Sequence, residues 1–198
     1  VLPEPPNLPE EGATFEANAV FKARTVSQAT RMYALADDSG LEVDALGGRP
    51  GVRSARFAHE RATDAENNAA LLRELEEVAD GGRKARFRCV LALASPWDPE
   101  HVELAEGTCE GLIARAPRGS GGFGYDPVFE IAGRAVAAAQ LPMTEKDSLS
   151  HRGQALRGLA AQLAAGRGLA AAWEHDTASS TAGALRAHPL VCAQMSVL

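Results

Sequence analysis

Asp37, Asp38, Ser39 and Gly40 follow one another in the run "LADDSGLEV", directly after an apolar stretch. A carboxylate at a strand end, beside a hydroxyl and backbone N–H groups, offers acceptor oxygens that suit a hard cation or a water about to lose a proton. Neighbouring residues on a strand point to opposite faces, so the pair is not a simple shared site: one Asp faces the interior and the other, Asp38, an open cleft. A local Asp-Ser-Gly turn is the competing reading, because these are ordinary turn residues. A second stretch, "GSGGFGYDPVF", sets Phe123 and Tyr125 among glycines on one side of an extended segment. Aromatic faces can stack a flat ligand while glycine lets the backbone approach closely, and Asp126 can accept a proton from a ring nitrogen. A third, "EKDSLSHRGQAL", gathers Lys146, His151 and Arg152 in a loop and at the start of a helix, where anions are favoured. Together these supply a ring platform, an acid and cations.

The whole chain sets the bounds. It has 198 residues, a net charge of -6, 45% hydrophobic and 23% charged residues, which is ordinary globular composition. An acidic balance gives no electrostatic grip on a nucleic-acid polymer. The glycine stretch has some likeness to the RNA-binding RNP1 pattern, but Asp126 and Pro127 break it. Cys89, Cys109 and Cys192 are too far apart for a zinc site or a disulfide framework, which favours reduced thiols and a cytoplasmic location. No apolar run is long enough for a membrane span, and "VLPEPPNLPEEG" is acidic where a signal peptide would be basic.

Several elements must position these residues. Thr14 can cap a helix over "TFEANAVFKARTVSQATR", with Phe15, Ala19, Lys22 and Val26 on one face. "MYALADDSGLEVDAL" predicts a strand, a tight turn at Asp38-Ser39-Gly40 and a second strand carrying Leu41, Val43 and Ala45. Thr63 or Asp64 can cap "AENNAALLRELEEVAD", a helix that Gly81 and Gly82 would stop. "KARFRCVLALAS" and "VELAEGTCEGLIAR" predict two strands joined by "SPWDPE". "LPMTEKDSLSH" reads as a loop before a helix from about Arg152 to Ala165. Loosely alternating helices and strands indicate a mixed α/β or α+β class. Residues 166–198 change composition and suggest a linker followed by a tail with no chemical role.

"FEANAVFKAR", "ADDSGLEVDALGGRPGVRSARF", "GSGGFGYDP" and "KDSLSHRGQAL" resemble, in that order, the motifs of the inosine triphosphate pyrophosphatase (Ham1-like or RdgB-like) family. The resemblance covers roughly residues 12–165. It implies a two-lobed fold with a central mixed sheet and a cleft between the lobes, a homodimer, and Mg²⁺-dependent hydrolysis of the non-standard purine nucleotides ITP, dITP and XTP to monophosphate and pyrophosphate. By the same resemblance Asp38 is the general base and a metal ligand. Ser39, Phe123, Gly124, Tyr125, Asp126, Lys146, His151 and Arg152 bind substrate, and Lys22 lies on the phosphate side. Hypoxanthine and xanthine present an acceptor at O6 and a donor at N1 where adenine reverses both. Donation from Arg152 to O6 would then reject ATP by as much as roughly 10⁴ to 10⁵.

Two departures from the family pattern stand out. Its opening phosphate-binding segment, [ST]-x-N-x-x-K, does not occur here, so residues 1–165 are expected to form an N-terminally shortened pyrophosphatase domain. In the first helix, Ala17 stands where a metal-side glutamate is usual, leaving Glu16 as a weak metal candidate one helical step away. A catalytically weak or inactive nucleotide-binding relative that keeps the base pocket but lacks the triphosphate loop is the alternative.

Overall fold

The computed structural model describes residues 8, 10–165 and 190–192. Helix α1 (Phe15–Thr30) opens on Thr14, whose backbone is extended and whose hydroxyl accepts the Ala17 N–H at 3.2 Å. Its buried side carries Phe15, Ala19, Lys22 and Val26 as the spacing predicts, and also Asn18. Strand β1 (Tyr33–Val43) runs straight through Asp38-Ser39-Gly40, where a turn and a second strand are expected. The strand is buried along most of its length on both faces, a position in which local turn propensity gives way to the surroundings. The Ser54 hydroxyl accepts the Leu41 N–H at 2.8 Å, and Ala45 lies exposed in a single 3₁₀ turn after the strand.

Helix α2 (Asp64–Glu74) begins at a capping box in which Thr63 and Glu66 exchange side chain-to-backbone bonds. It stops well before Gly81. The Leu75 carbonyl accepts from Arg83, and those of Glu76 and Val78 from Arg115, so arginines take acceptors that further helical turns would have used. Strands β2 (Lys84–Ala94), β3 (Val102–Ile113) and β4 (Phe129–Ile131) follow. The expected loop at "LPMTEKDSLSH" holds a short helix, α3 (Met143–Leu149), which starts after Pro142 and buries none of its residues; a helix with no buried stripe leaves no periodic signal. Helix α4 (His151–Ala164) ends the main body, and β5 (Leu190–Cys192) comes from the stretch expected to be a tail. The rest of 166–198 lies outside the described residues.

The sheet has the order β4-β3-β2-β1-β5. It is mixed: β5 runs parallel to β1, with Tyr33 opposite Leu190, whereas β4 is antiparallel to β3, with Gly111 opposite Ile131. The chain divides into two compact units. The first takes the chain up to Asp38, then Val90–Ala105 and the stretch from Ala155. Its interior is rich in small residues, among them Ala19, Ala23, Ala34, Ala36 and Ala92. The second comprises Ser39–Cys89 and Glu106–Gln154, around a core that includes Leu41, Leu71, Leu75, Phe87, Ile113, Tyr125 and Phe129. Within that second unit Arg83 is only 2% exposed, and its guanidinium donates to the carbonyls of Leu75, Ile113 and Ala114.

Candidate active site

The first unit carries a charged cluster in its interior. Asn18 and Lys22 lie one turn apart on α1 and so share its buried face. Lys22 Nζ lies 2.9 Å from Asp38 Oδ1 and 2.9 Å from Glu10 Oε1, while Asn18 Nδ2 donates to Asp38 Oδ2 at 3.0 Å. The other end of the Asn18 amide is also fixed, because its Oδ1 accepts the Gly12 N–H at 2.7 Å. A Cβ on Gly12 would come within 2.4 Å of that oxygen, so the glycine before the helix is what lets the backbone approach. Burial pushes the Asp38 carboxyl above the usual carboxylate range, and Lys22 and Asn18 pull it back. Asp37 is buried as well, and Glu16 is half-buried in the first turn of α1.

The divalent cation implied by the resemblance can be tested against this donor set. No group of three His, Cys, Asp or Glu residues stands ready for a metal among the described residues. A magnesium-type ion needs only one or two carboxylates when substrate phosphates and water complete its shell. Glu10 and Asp38 converge on a single ammonium, so two hard oxygen donors already flank a positive charge. The residues fit such an ion.

The second unit carries the aromatic stretch, and its arrangement corrects the extended reading. Gly122 and Gly124 have φ of 76° and 59°, so the chain turns, and Phe123 and Tyr125 do not share a face. Phe123 is 37% exposed. Tyr125 is 1% exposed, its hydroxyl donating to the Ser54 carbonyl at 2.8 Å, so its ring belongs to the core. Asp126 Oδ2 accepts the Phe123 N–H at 2.9 Å and pairs with Lys146, whose Nζ lies 4.5 Å from the centroid of the Phe123 ring. Lys146 comes from α3, the element missing from the sequence reading. Gly124 and Ser39 are buried, and Arg152 is half-buried in the first turn of α4.

His151 opens α4 and stacks on Phe87, with ring centroids 5.0 Å apart and planes 17° apart. Burial, with the charges of Arg152 and Lys146, pushes its imidazole down to about 3. The neutral ring is therefore the form present at physiological pH. Unfolding restores a pKa near 6.5, so the unfolded chain binds the extra proton first and stability falls as pH drops from 6.5 towards 3. Integrated over that window the cost is at most about 5 kcal/mol. Urea unfolding of the protein and of His151→Phe between pH 7 and 4 should show a difference in stability that shifts against the histidine by up to about 1.4 kcal/mol per pH unit. A difference independent of pH would mean that the imidazole protonates freely in the folded chain.

The structure therefore brings Lys22 together with Asp38, and Phe123 with Asp126 and Lys146. Sequence reading missed Glu10 and Asn18. For Asn18 a signal existed, since a polar residue next to Lys22 in an otherwise apolar helical stripe must be paired to be buried. Glu10 precedes any periodic element and gave none.

Comparison with known proteins places the chain in a family. Residues 1–162 match the model of the Ham1 family. A protein of Geobacillus kaustophilus named dITP/XTP pyrophosphatase is 54% identical over 155 residues, which is 78% of this chain and 75% of that protein. Among solved structures, a HAM1 protein from Coxiella burnetii is 46% identical with a TM-score of 0.76, covering 80% of this chain and 81% of its own. A nucleoside-triphosphatase, dITP/XTP pyrophosphatase, from Mycobacterium abscessus is also 46% identical, with a TM-score of 0.69 and coverage of 79% of each chain.

Proposed function

Because the chain belongs to the Ham1 family, we propose that it is a nucleoside triphosphate pyrophosphatase that removes non-standard purine nucleotides by hydrolysing dITP, ITP and XTP to the monophosphate and pyrophosphate. The observation that carries the reading is the buried Asp38 carboxylate, held from two directions by Lys22 and Asn18 and sharing the Lys22 ammonium with Glu10.

In this reaction a water oxygen bonds to the α-phosphorus, the bond to the bridging oxygen of the β-phosphate breaks, and pyrophosphate leaves. Asp38 takes the proton from the water. Its burial raises its affinity for that proton, and Asn18 keeps its second oxygen oriented. Lys22 donates to phosphate oxygens as their charge grows. Glu10 and Asp38 would hold a divalent cation, which we take to be Mg²⁺; when bound, it supplies charge that neutralises the triphosphate.

In the second unit the Phe123 ring stacks the purine. Lys146 and Arg152 donate to its oxygen acceptors. The imidazole of His151, neutral at physiological pH, adds no charge against the base. Ser39 contacts substrate beside Asp38, and Tyr125 supports the stretch from the core. Glu16 is left as a weak candidate ligand. Residues 1–165 are assigned to the pyrophosphatase domain and 166–198 to a segment beyond it. We assign the active form to a homodimer in the cytoplasm. No helix among the described residues is long and apolar enough to cross a membrane.

The test is pyrophosphate release from ITP, XTP, ATP and GTP with and without Mg²⁺. Metal-dependent release from ITP and XTP, with ATP left intact, is the expected result; no release from either would overturn the reading. Glu10→Gln should raise the Mg²⁺ concentration for half-maximal release by about tenfold, as loss of one carboxylate donor predicts. An unchanged metal titration would remove Glu10 from the cation site.

A further inference from the structure

We propose that Asp64 and Asn68 are positioning residues of the base site, clamping the Gly124 peptide from α2 and thereby fixing the ring of Phe123. The proposal rests on Phe123 being the base platform. Asp64 Oδ2 accepts the Gly124 N–H at 2.7 Å, and Asn68 Nδ2 donates to the Gly124 carbonyl at 2.9 Å. The two side chains are one helical turn apart and project from one face of α2, so a single rigid element grips both polar groups of one glycine. That element is well anchored. Asp64 is its first residue, directly after the Thr63 capping box, where the helix dipole favours a carboxylate.

The gripped residue is the one that decides where the aromatic rings go. Gly124 has φ of 59°, a left-handed conformation that residues with a side chain rarely adopt. Through that turn Phe123 is left 37% exposed while Tyr125 sinks to 1%, its hydroxyl tied to Ser54. The preceding N–H, that of Phe123, is held by Asp126. The backbone under the Phe123 ring is therefore held by three side chains, two of them from α2. The ring's position follows the position of the helix.

Asn68 has a further mark of a role beyond packing. Its Oδ1 is buried and has no hydrogen-bond partner among the described residues. An orphaned buried acceptor costs stability, and such costs persist where a side chain serves geometry that an apolar residue could not supply. The neighbouring Asn67 makes the useful contrast. Its amide accepts from the Ala58 N–H and donates to the Ala55 carbonyl, and neither bond reaches Gly124.

The experiment measures kcat and KM for ITP, and inosine monophosphate affinity by calorimetry, in the full chain. The variants are Asp64→Ala, Asn68→Leu, Asp64→Asn and Asn67→Ala. A platform displaced by a fraction of an ångström should raise KM and weaken monophosphate binding by about tenfold in Asp64→Ala and Asn68→Leu, with kcat within about threefold of the parent. Asp64→Asn keeps an acceptor oxygen and should restore most of the affinity. Asn67→Ala should lower thermal stability and leave KM unchanged. Unchanged KM and monophosphate affinity in folded Asp64→Ala and Asn68→Leu would overturn the clamp, as would the same rise in KM in Asn67→Ala. If either of the first two does not fold, Asp64→Asn must still keep the parent KM, or the clamp is lost. A parent chain that binds inosine monophosphate but releases no pyrophosphate would defeat the proposed hydrolysis while leaving the clamp to be judged on binding. A parent that binds none would defeat both.

Discussion

Asp38→Asn should lower ITP turnover by about 10²-fold or more while the protein unfolds within a few degrees of the parent. The substitution keeps the shape of the side chain and removes its capacity to take a proton. Asn18 and Lys22 lose a charged acceptor, but Lys22 retains Glu10 at 2.9 Å, so no ammonium is left buried without a carboxylate. The sign of the stability effect follows from the direction of the shift. Burial raises the Asp38 carboxyl above its ordinary value of 3.8, so its favourable contribution is complete below that value and disappears as pH rises through the folded-state value. Above that range the ionised carboxylate is a net cost to folding, which an amide does not incur. Pyrophosphate release and thermal melts at pH 7 check both halves. Undiminished release would remove Asp38 from the chemistry, and a melt lowered by tens of degrees would make it a structural residue.

Arg83→Met should have the larger effect on stability. The guanidinium is buried and donates to three carbonyls, those of Leu75, Ile113 and Ala114, with Ile113 and Ala114 accepting at 2.7 and 3.0 Å. Burial and the neighbouring Arg115 press its pKa down, and Asp80 opposes them. The side chain thus joins the end of α2 to the end of β3. Methionine fills much of the volume but donates nothing; the Leu75 carbonyl keeps the Val78 N–H at 3.0 Å, and the loss of three hydrogen bonds from a charged donor should cost about 4 kcal/mol. That is a large part of the roughly 5–15 kcal/mol by which a domain is stable. Urea unfolding measures it directly. A loss below about 1 kcal/mol would mean that water reaches those carbonyls once the arginine is gone.

What could be read in the sequence follows a physical line. Helix α1 was legible to the residue because Thr14 caps it and its buried stripe repeats at 3.6 residues. Strands β2 and β3 were legible because apolar runs and a proline-rich turn bound them. The turn expected at Asp38-Ser39-Gly40 failed because turn propensity is local, whereas the burial that holds β1 straight comes from distant residues. Helix α3 was invisible because none of its residues is fully buried and no apolar stripe marks it, although it delivers Lys146 to Asp126. The residue types of the site were visible early, in Asp38, Lys22, Phe123, Asp126 and Lys146. The supporting residues were not, because Glu10, Asn18, Asp64 and Asn68 act through hydrogen bonds between segments far apart in the chain.

The division of the chain also bears on how the protein comes into being. Each compact unit is assembled from stretches that the other interrupts, and β1, β2, β3 and α4 each begin in one unit and end in the other. A ribosome therefore releases no complete unit until it has passed Gln154, and a single cut at either inner crossing point, between Cys89 and Val90 or between Ala105 and Glu106, leaves neither unit whole. Loops of roughly 50 residues must close before the interior of the first unit can form, whereas only Val90–Ala105 interrupts the second, and such distant closures slow folding. Dissection into separately expressed halves should yield insoluble fragments, whereas two fragments cut in the turn at "SPWDPE" and produced together have a route to reassemble.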